Sequence, residues 1–309
     1  MVGAPGYEVD RGLLVVVPGS CYAFHEAHAF DPDALPKEPE GKHDEGPDAV
    51  ERLQLLDLID AAEALFFAED AGIITNIASQ RAPVIKAEDT HAGSLALQDG
   101  RADEAMKRAQ TLLGGVPPAL ERLLRNECDA RTKLAYPIAL EHAFGVSGVS
   151  FDALLLPGSR PGSFCTIANA TLRESKRAAE VAQHFVTHGK LIGATANGMD
   201  LLLLARSPKQ SSGLASSAVM QALPASYVEL DDDMPYLKGR KVAQPACDVD
   251  ASCGIPLEER LTDIGVRFVA DAKGNVVRDG TLLTVPDVGK RGLLARALVE
   301  ALVDLDDDE

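Results

Sequence analysis

The chain contains no tryptophan, and aromatic residues make up only 5% of its 309 positions. That scarcity leaves no run of aromatic faces on which the bases of a single nucleic-acid strand would stack. Positive charge is short as well: 30 lysines and arginines stand against 47 aspartates and glutamates, a formal net charge of −17. A chain this acidic is repelled by phosphate backbones and by anionic membrane surfaces, so neither nucleic acid nor membrane is expected as a partner. No apolar run approaches the ~20 residues of a membrane span. The opening MVGAPGYEVDRG lacks the basic-then-apolar order of a secretory leader. The five cysteines (Cys21, Cys128, Cys165, Cys247 and Cys253) are an odd number scattered through a long chain. They argue against a disulfide scaffold and for a reduced, cytoplasmic protein. Cys247 and Cys253 are six apart, which is not a zinc-ligand spacing.

What is present is a succession of short apolar runs alternating with helical patterns. Leu13 to Val17 (LLVVV), closed by Pro18-Gly19, reads as the first, central strand of a parallel sheet. Ser20 to Phe30 has the composition to open a helix. Asp31 to Asp48 is rich in Pro, Gly and charge without periodicity, and reads as a surface insertion or lid-like loop. Helical spacing of Leu53, Leu56, Ile59, Ala62 and Leu65 predicts a helix over 50–68. Strands are expected at 72–77 and, briefly, at Val84-Ile85, with a loop over 88–100 and helices over 102–113 and 118–127. The stretch 138–149 fits no one pattern.

The most informative stretch is Phe151 to Ala205. Phe151 to Pro157 and Leu191 to Thr195 read as buried strands, each broken by a Gly-containing turn, with a helix between them that ends at His188-Gly189. A second helix is expected from Gly198 to Ala205. Ser207 to Ser217 reads as polar loop, and Val242 and its neighbours as a strand. A helix over 257–264 stops at Gly265, strands follow at 266–270, 276–277 and 282–284, and a closing helix spans 288–303. The acidic runs Asp231-Asp232-Asp233 and Asp304 to Glu309 read as a solvated turn and a solvated tail. Strands alternating with helices, with no repeat and no linker, imply one α/β domain over 1–309.

Three segments in this order resemble the DJ-1/PfpI (ThiJ) superfamily: FDALLLPGSRPG; HGKLIGATANGMDLLLLA; and IPLEERLTDIGVRFV followed by VVRDGTLLTVPDVGKRGLLARALVEAL. The pattern is closest to the larger chaperone- and glyoxalase-type branch and covers about residues 150–303. The resemblance implies a flavodoxin-like three-layer sandwich with a mostly parallel central sheet, related to class I glutamine amidotransferases. It also implies a homodimer acting on a small molecule, without a cofactor.

Carried over residue by residue, the family's nucleophilic cysteine falls on Ala196 and the histidine after it on Asn197. A methyl group cannot attack a carbonyl or be activated by a base, so the family's cysteine-dependent glyoxalase or deglycase chemistry is not expected at that position. The backbone N–H donors at the two turns, those of Ser159 and Asn197, do not depend on side-chain identity, and an anion hole can persist without the thiol. A helix beginning at Asn197-Gly198 would add to it. The family's carboxylate after the first strand matches Glu26 in AFHEAHAF. Proton transfer next to a carbonyl, with the enolate held by backbone N–H groups, suits such a site. Lyase, hydratase and isomerase reactions are of this kind.

Other readings stay open beside it. Cys21 and Cys165 follow strand ends and are candidates for a displaced nucleophile or redox thiol, or are ordinary buried thiols. His25 and His28 flank Glu26 as possible acid/base partners; two histidines three apart are too little to define a metal site, and none is assigned. Gly158, Arg160 and Ala196 line the expected substrate position, with Arg160 either holding a substrate carboxylate or lying in solvent. A non-catalytic ligand-binding or chaperone-like protein would also fit the missing thiol.

Overall fold

The structure is a computed structural model, and it describes residues 12–17, 47–79, 90–125, 129–140, 143, 151–157, 172–195, 197–209, 229–245, 257–270, 276–286 and 291–304. Its strands are β1 (Gly12–Val17), β2 (Ile74–Ser79), β3 (Ile138–Ala139), β4 (Phe151–Leu156), β5 (Leu191–Thr195), β6 (Arg206–Pro208), β7 (Leu230–Pro235), β8 (Lys241–Ala243), β9 (Arg267–Val269), β10 (Val277–Asp279) and β11 (Leu282–Val285). The α-helices are α1 (Pro47–Asp70), α2 (Ala92–Leu97), α3 (Ala102–Leu113), α4 (Pro118–Arg125), α5 (Ala130–Ala135), α6 (Leu172–Thr187), α7 (Leu257–Ile264) and α8 (Arg291–Asp304).

Seven strands form one sheet in the order β10-β11-β5-β4-β1-β2-β3, parallel everywhere except between β10 and β11. The core run β2-β1-β4-β5-β11 has the doubly wound, flavodoxin-like order: the chain builds outward from β1 to one side, then returns to the other. Right-handed crossovers in opposite directions put the connecting helices on opposite faces. Leu13 and Val15 of β1 pack into the apolar layer that contains α1 and α8, while Leu14 and Val16 pack into the layer containing α6 and α7. A strand covered on both faces needs apolar residues at every position, which is why LLVVV shows no alternation. The result is the three-layer sandwich expected from the sequence.

Where the local pattern was strong, elements and expectations coincide: α3 spans 102–113, β5 spans 191–195 and α7 spans 257–264. Gly189, at φ +64°, takes the left-handed conformation just past α6. The helix read over 50–68 is the longer α1. Its buried residues, among them Leu55, Leu58, Ala61, Ala62, Ala64, Leu65 and Phe66, are spread around the helix rather than confined to one stripe. It is packed against α8 on one side and against the helices between β2 and β3 on another.

Three expectations are corrected. The loop read over 88–100 contains α2, whose six residues are all buried. AGSLAL is too short to show a helical period, and packing plus a carboxylate bound to the Ala92 N–H hold it. Asp231, Asp232 and Asp233 are not a turn but lie in β7, which pairs antiparallel with β6; β6 in turn opens the stretch read as polar loop from 207. The ends of β7 pair with β6, Leu230 opposite Pro208 and Pro235 opposite Arg206 with a register shift between, and the Asp231 carboxylate accepts the Asp233 N–H, so poor β propensity does not exclude the acidic run. The helix read over 198–205 is instead a short 3-10 segment, Asn197–Leu202. The ambiguous 138–149 supplies the edge strand β3 at its start. Of the insertion read over 31–48, Pro47 and Asp48 instead open α1; its remainder and the readings at 20–30 and Val84-Ile85 lie outside the described residues.

Candidate active site

In an open α/β sheet the ligand crevice forms outside the carboxyl ends of the strands, where the winding direction reverses. Here that point is between β1 and β4, which pair directly. Registers bring the last residues of the central strands into one row. Val17 stands opposite Ser79, Leu156 opposite Ala194, and Val285 opposite Thr195. The loop after β1 and the turns after β4 and β5 therefore all leave from the same edge. Those are the segments carrying Glu26, Ser159 and Asn197.

The junction after β5 is described on both sides of Ala196. Thr195 is fully buried. Its hydroxyl oxygen lies 2.5 Å from the carbonyl oxygen of Pro157, to which it donates, and accepts the N–H of Gly198 at 3.4 Å. One hydroxyl can do both, having a single donor and two acceptor positions. Gly198 is held as tightly. A β carbon on it would fall 2.1 Å from the Leu156 carbonyl oxygen and 3.0 Å from that carbonyl's carbon. Only glycine fits a backbone approach of this kind. The chain leaving β5 thus turns back against the end of β4, and this crowding accounts for a tight 3-10 segment in place of an α-helix. Six residues of 3-10 helix carry little macrodipole, so the helix-terminus contribution expected at Asn197-Gly198 is withdrawn.

Asn197 opens the 3-10 segment immediately after the junction. Cys21, His25, Glu26, His28, Gly158, Ser159, Arg160, Cys165 and Ala196 lie outside the described residues, though the strands that lead to them are in place. Thr195 and Pro157 are read from the sequence only as strand ends, and Gly198 only as part of a helix start. A β-branched hydroxyl residue ending a buried strand, two residues before an Asn-Gly pair, was the available signal.

Two electrostatic clusters stand elsewhere. Glu51, near the amino end of α1, is buried; its carboxylate accepts the Ala92 N–H at 2.7 Å and the Nε and terminal N–H of Arg108 at 3.0 and 2.5 Å. His91 Nδ1 is 3.8 Å from Oε2, the oxygen that the terminal N–H of Arg108 also holds. Burial alone would raise the Glu51 pKa, but the Arg108 and Ala92 hydrogen bonds, with the nearby positive charge of Arg108 and His91, outweigh it and hold the group below its ordinary value. The carboxylate ties α1, α2 and α3 together. At the end of α6, His188 Nδ1 lies 2.8 Å from the His184 carbonyl oxygen, and the two rings are 4.2 Å apart. Burial, then the charges of His188 and Lys190, push His184 down to about 4. Both clusters reinforce the frame around the sheet.

Among the described residues, no three His, Cys, Asp or Glu side chains gather closely enough to hold a metal ion. Within the same residues, no helix is long and apolar enough to cross a membrane.

No protein-family model matches the sequence, and no curated protein sequence does. Solved structures do. The protein called APC35852 aligns over 97% of this chain and 100% of its own, with a TM-score of 0.54 at 17% identity. The Rapid Encystment Protein 24 KDa of Francisella tularensis aligns over 94% and 99%, with a TM-score of 0.52 at 13% identity. Glyoxalase III of Candida albicans, a DJ-1/ThiJ/PfpI superfamily structure, aligns over 79% and 87%, with a TM-score of 0.50 at 12% identity. At such identities the likeness concerns the fold alone, and with the strand order described above it shows that this chain has the doubly wound, flavodoxin-like α/β fold of these structures.

Proposed function

We propose that the protein is an enzyme acting on a small oxygenated metabolite by acid/base chemistry, with an oxyanion or enolate held by backbone N–H groups at the turns after β4 and β5. The reaction class is lyase, hydratase or isomerase. The observation that carries this reading is the junction after β5. It keeps a compact elbow, with Gly198 against Leu156 and Thr195 bonded to Pro157, and the residue between them onto which the sequence resemblance carries the nucleophile is Ala196. A buried, rigid backbone retained without its thiol favours chemistry in which the backbone stabilises charge and another group moves the proton.

In this reading the N–H groups of Ser159 and Asn197 bind the oxyanion, and Glu26 is the general base or acid, assisted by His25 or His28. Gly158 and Ala196 leave room for the substrate, and Arg160 holds its carboxylate. The reading assigns no covalent thiol step to this chain. The protein is further proposed to be a cytoplasmic homodimer.

The test is a panel of small carbonyl and hydroxy-acid substrates assayed with the wild-type protein, Glu26→Gln, Cys21→Ser and Cys165→Ser. Turnover that disappears in Glu26→Gln and survives both serine variants supports the reading. Loss in either serine variant transfers the chemistry to that thiol. No turnover that depends on Glu26 overturns the acid/base assignment and leaves a ligand-binding or chaperone-like role.

A further inference from the structure

Beside the seven-stranded sheet lie two small ladders, β6–β7 and β8–β9. Each carries a pair of like charges. On β8–β9, Lys241 stands directly opposite Arg267, and both residues are exposed. Like charges across a ladder repel. Asp279 does not relieve them: its carboxylate accepts the Lys241 backbone N–H at 2.8 Å and makes no ion pair with the ammonium. On β7, Asp231 is half-buried and Asp233 exposed, and the Asp231 carboxylate accepts the Asp233 N–H. No ion pair among the described residues involves any of these four side chains. Between the two charged pairs lies an apolar step. Leu204 and Met234 are 45% and 42% exposed. Both flank the end of β6–β7 where Arg206 stands opposite Pro235 and the Tyr236 N–H donates to the Ala205 carbonyl. From there the fold leads to the basic pair: Arg240 Nε donates to the Tyr236 carbonyl at 3.1 Å, and the Arg267 N–H to the Arg240 carbonyl at 2.8 Å.

We propose that this surface is where two copies of the chain meet: Leu204 and Met234 form the apolar centre, and the Asp231/Asp233 pair of each copy faces the Lys241/Arg267 pair of the other. This rests on the homodimer proposed above and names its interface. A twofold contact uses the same patch on both copies, so a patch that is acidic at one end, apolar in the middle and basic at the other complements itself when turned end for end. Each like-charge pair is unfavourable within one copy, and each is relieved by the opposite pair of the second. At a formal net charge of −17, two copies repel one another over most of their surface. The orientation that brings the cations of each to the carboxylates of the other is therefore selected against the rest. The apolar centre supplies the affinity and the charged ends set the alignment.

The test is a charge swap on the full-length protein, read by analytical ultracentrifugation at about 0.1 M salt. One variant, Lys241→Glu/Arg267→Glu, makes both ends of the patch acidic. The other, Asp231→Lys/Asp233→Lys, makes both ends basic. Wild type is expected to dimerise, and each variant alone to dimerise at least about tenfold more weakly, because both ends of its contact now repel. An equimolar mixture of the two variants is expected to recover the dimer, as one copy of each, since both ends of that contact again pair opposite charges; native mass spectrometry identifies the mixed species. Wild-type protein that stays monomeric overturns this surface and the homodimer together. A wild-type dimer that both variants keep at full strength overturns this surface alone and leaves the homodimer to another face. Weakened variants that do not recover on mixing overturn the charge pairing. Where a reversal does not fold, the corresponding neutral variant, Lys241→Gln/Arg267→Gln or Asp231→Asn/Asp233→Asn, decides in its place: weaker dimerisation supports the surface, and unchanged dimerisation overturns it.

Discussion

Gly198 and Leu156 are in backbone contact across the ends of two parallel strands: a β carbon at 198 would come within 2.1 Å of the Leu156 carbonyl oxygen. The obstacle is main chain inside a sheet and cannot swing aside. Gly198→Ala is therefore expected to cost about 3 kcal/mol or more, or to prevent folding. Gly292 offers the control. Its β carbon would also meet a neighbour at 2.9 Å, but that neighbour is the Glu63 carboxylate, the free end of a flexible side chain. Gly292→Ala is expected within about 1 kcal/mol of wild type. Urea unfolding of both variants checks the contrast.

The carboxylate of Glu51 is expected to make stability sensitive to acid. Its pKa is held below the ordinary 4.5, against the effect of burial, by Arg108, the Ala92 N–H and nearby positive charge. A depressed carboxylate contributes stability that is complete above its unfolded value and is lost as pH falls through the folded one. Glu51→Gln should therefore lower stability at pH 7 by about 2 kcal/mol, because Arg108 loses its charged partner. The difference from wild type should narrow below about pH 4. Denaturant midpoints at pH 7 and at acid pH measure both effects.

His184 has the opposite charge type and the same direction of pH dependence. Burial, then the charges of His188 and Lys190, lower its pKa from 6.5 to about 4. Between those two values the unfolded chain binds a proton there and the native protein does not, so stability falls as pH drops through this window. The His184 ring resonances should titrate with a midpoint near 4. In His184→Gln the dependence of the unfolding midpoint on pH should flatten across the same range.

Both faces of β1 are covered, and side-chain truncation should show it. Leu13 and Leu14 point into opposite apolar layers, and each is completely buried. Leu13→Ala and Leu14→Ala are each expected to cost about 2–5 kcal/mol. A strand with one wet face would show a large loss at one position and almost none at the next. Thermal or denaturant unfolding of the two single variants distinguishes these cases.

Much of the architecture was legible because it is written locally. LLVVV, FDALLL and LIGAT are apolar at nearly every position, which requires cover on both faces, and the helical runs between them imply parallel crossovers. The 3.6-residue period located α3 and α7, and a glycine past the end located the stop of α6. The places where local pattern failed share one feature: the deciding partner is far along the chain. α2 is held by a carboxylate 41 residues earlier. The acidic β7 is a strand because β6, more than twenty residues before it, pairs with its two ends. The 3-10 segment after β5 is short because Gly198 meets a carbonyl of β4.

The candidate site divides along the same line. The sequence by itself determined that the elbow after β5 carries Ala196 and no thiol, since that depends only on which residue follows Thr195. It also determined that the strands leading to the site are buried on both faces. Only the tertiary structure decided that the winding reverses between β1 and β4 and that the strand ends share one edge. It alone decided that the hydroxyl of Thr195 reaches Pro157, 38 positions away in the chain. A threonine at the end of a strand looks the same in sequence whether its hydroxyl faces water or a carbonyl; which one it meets depends on the strand placed beside it.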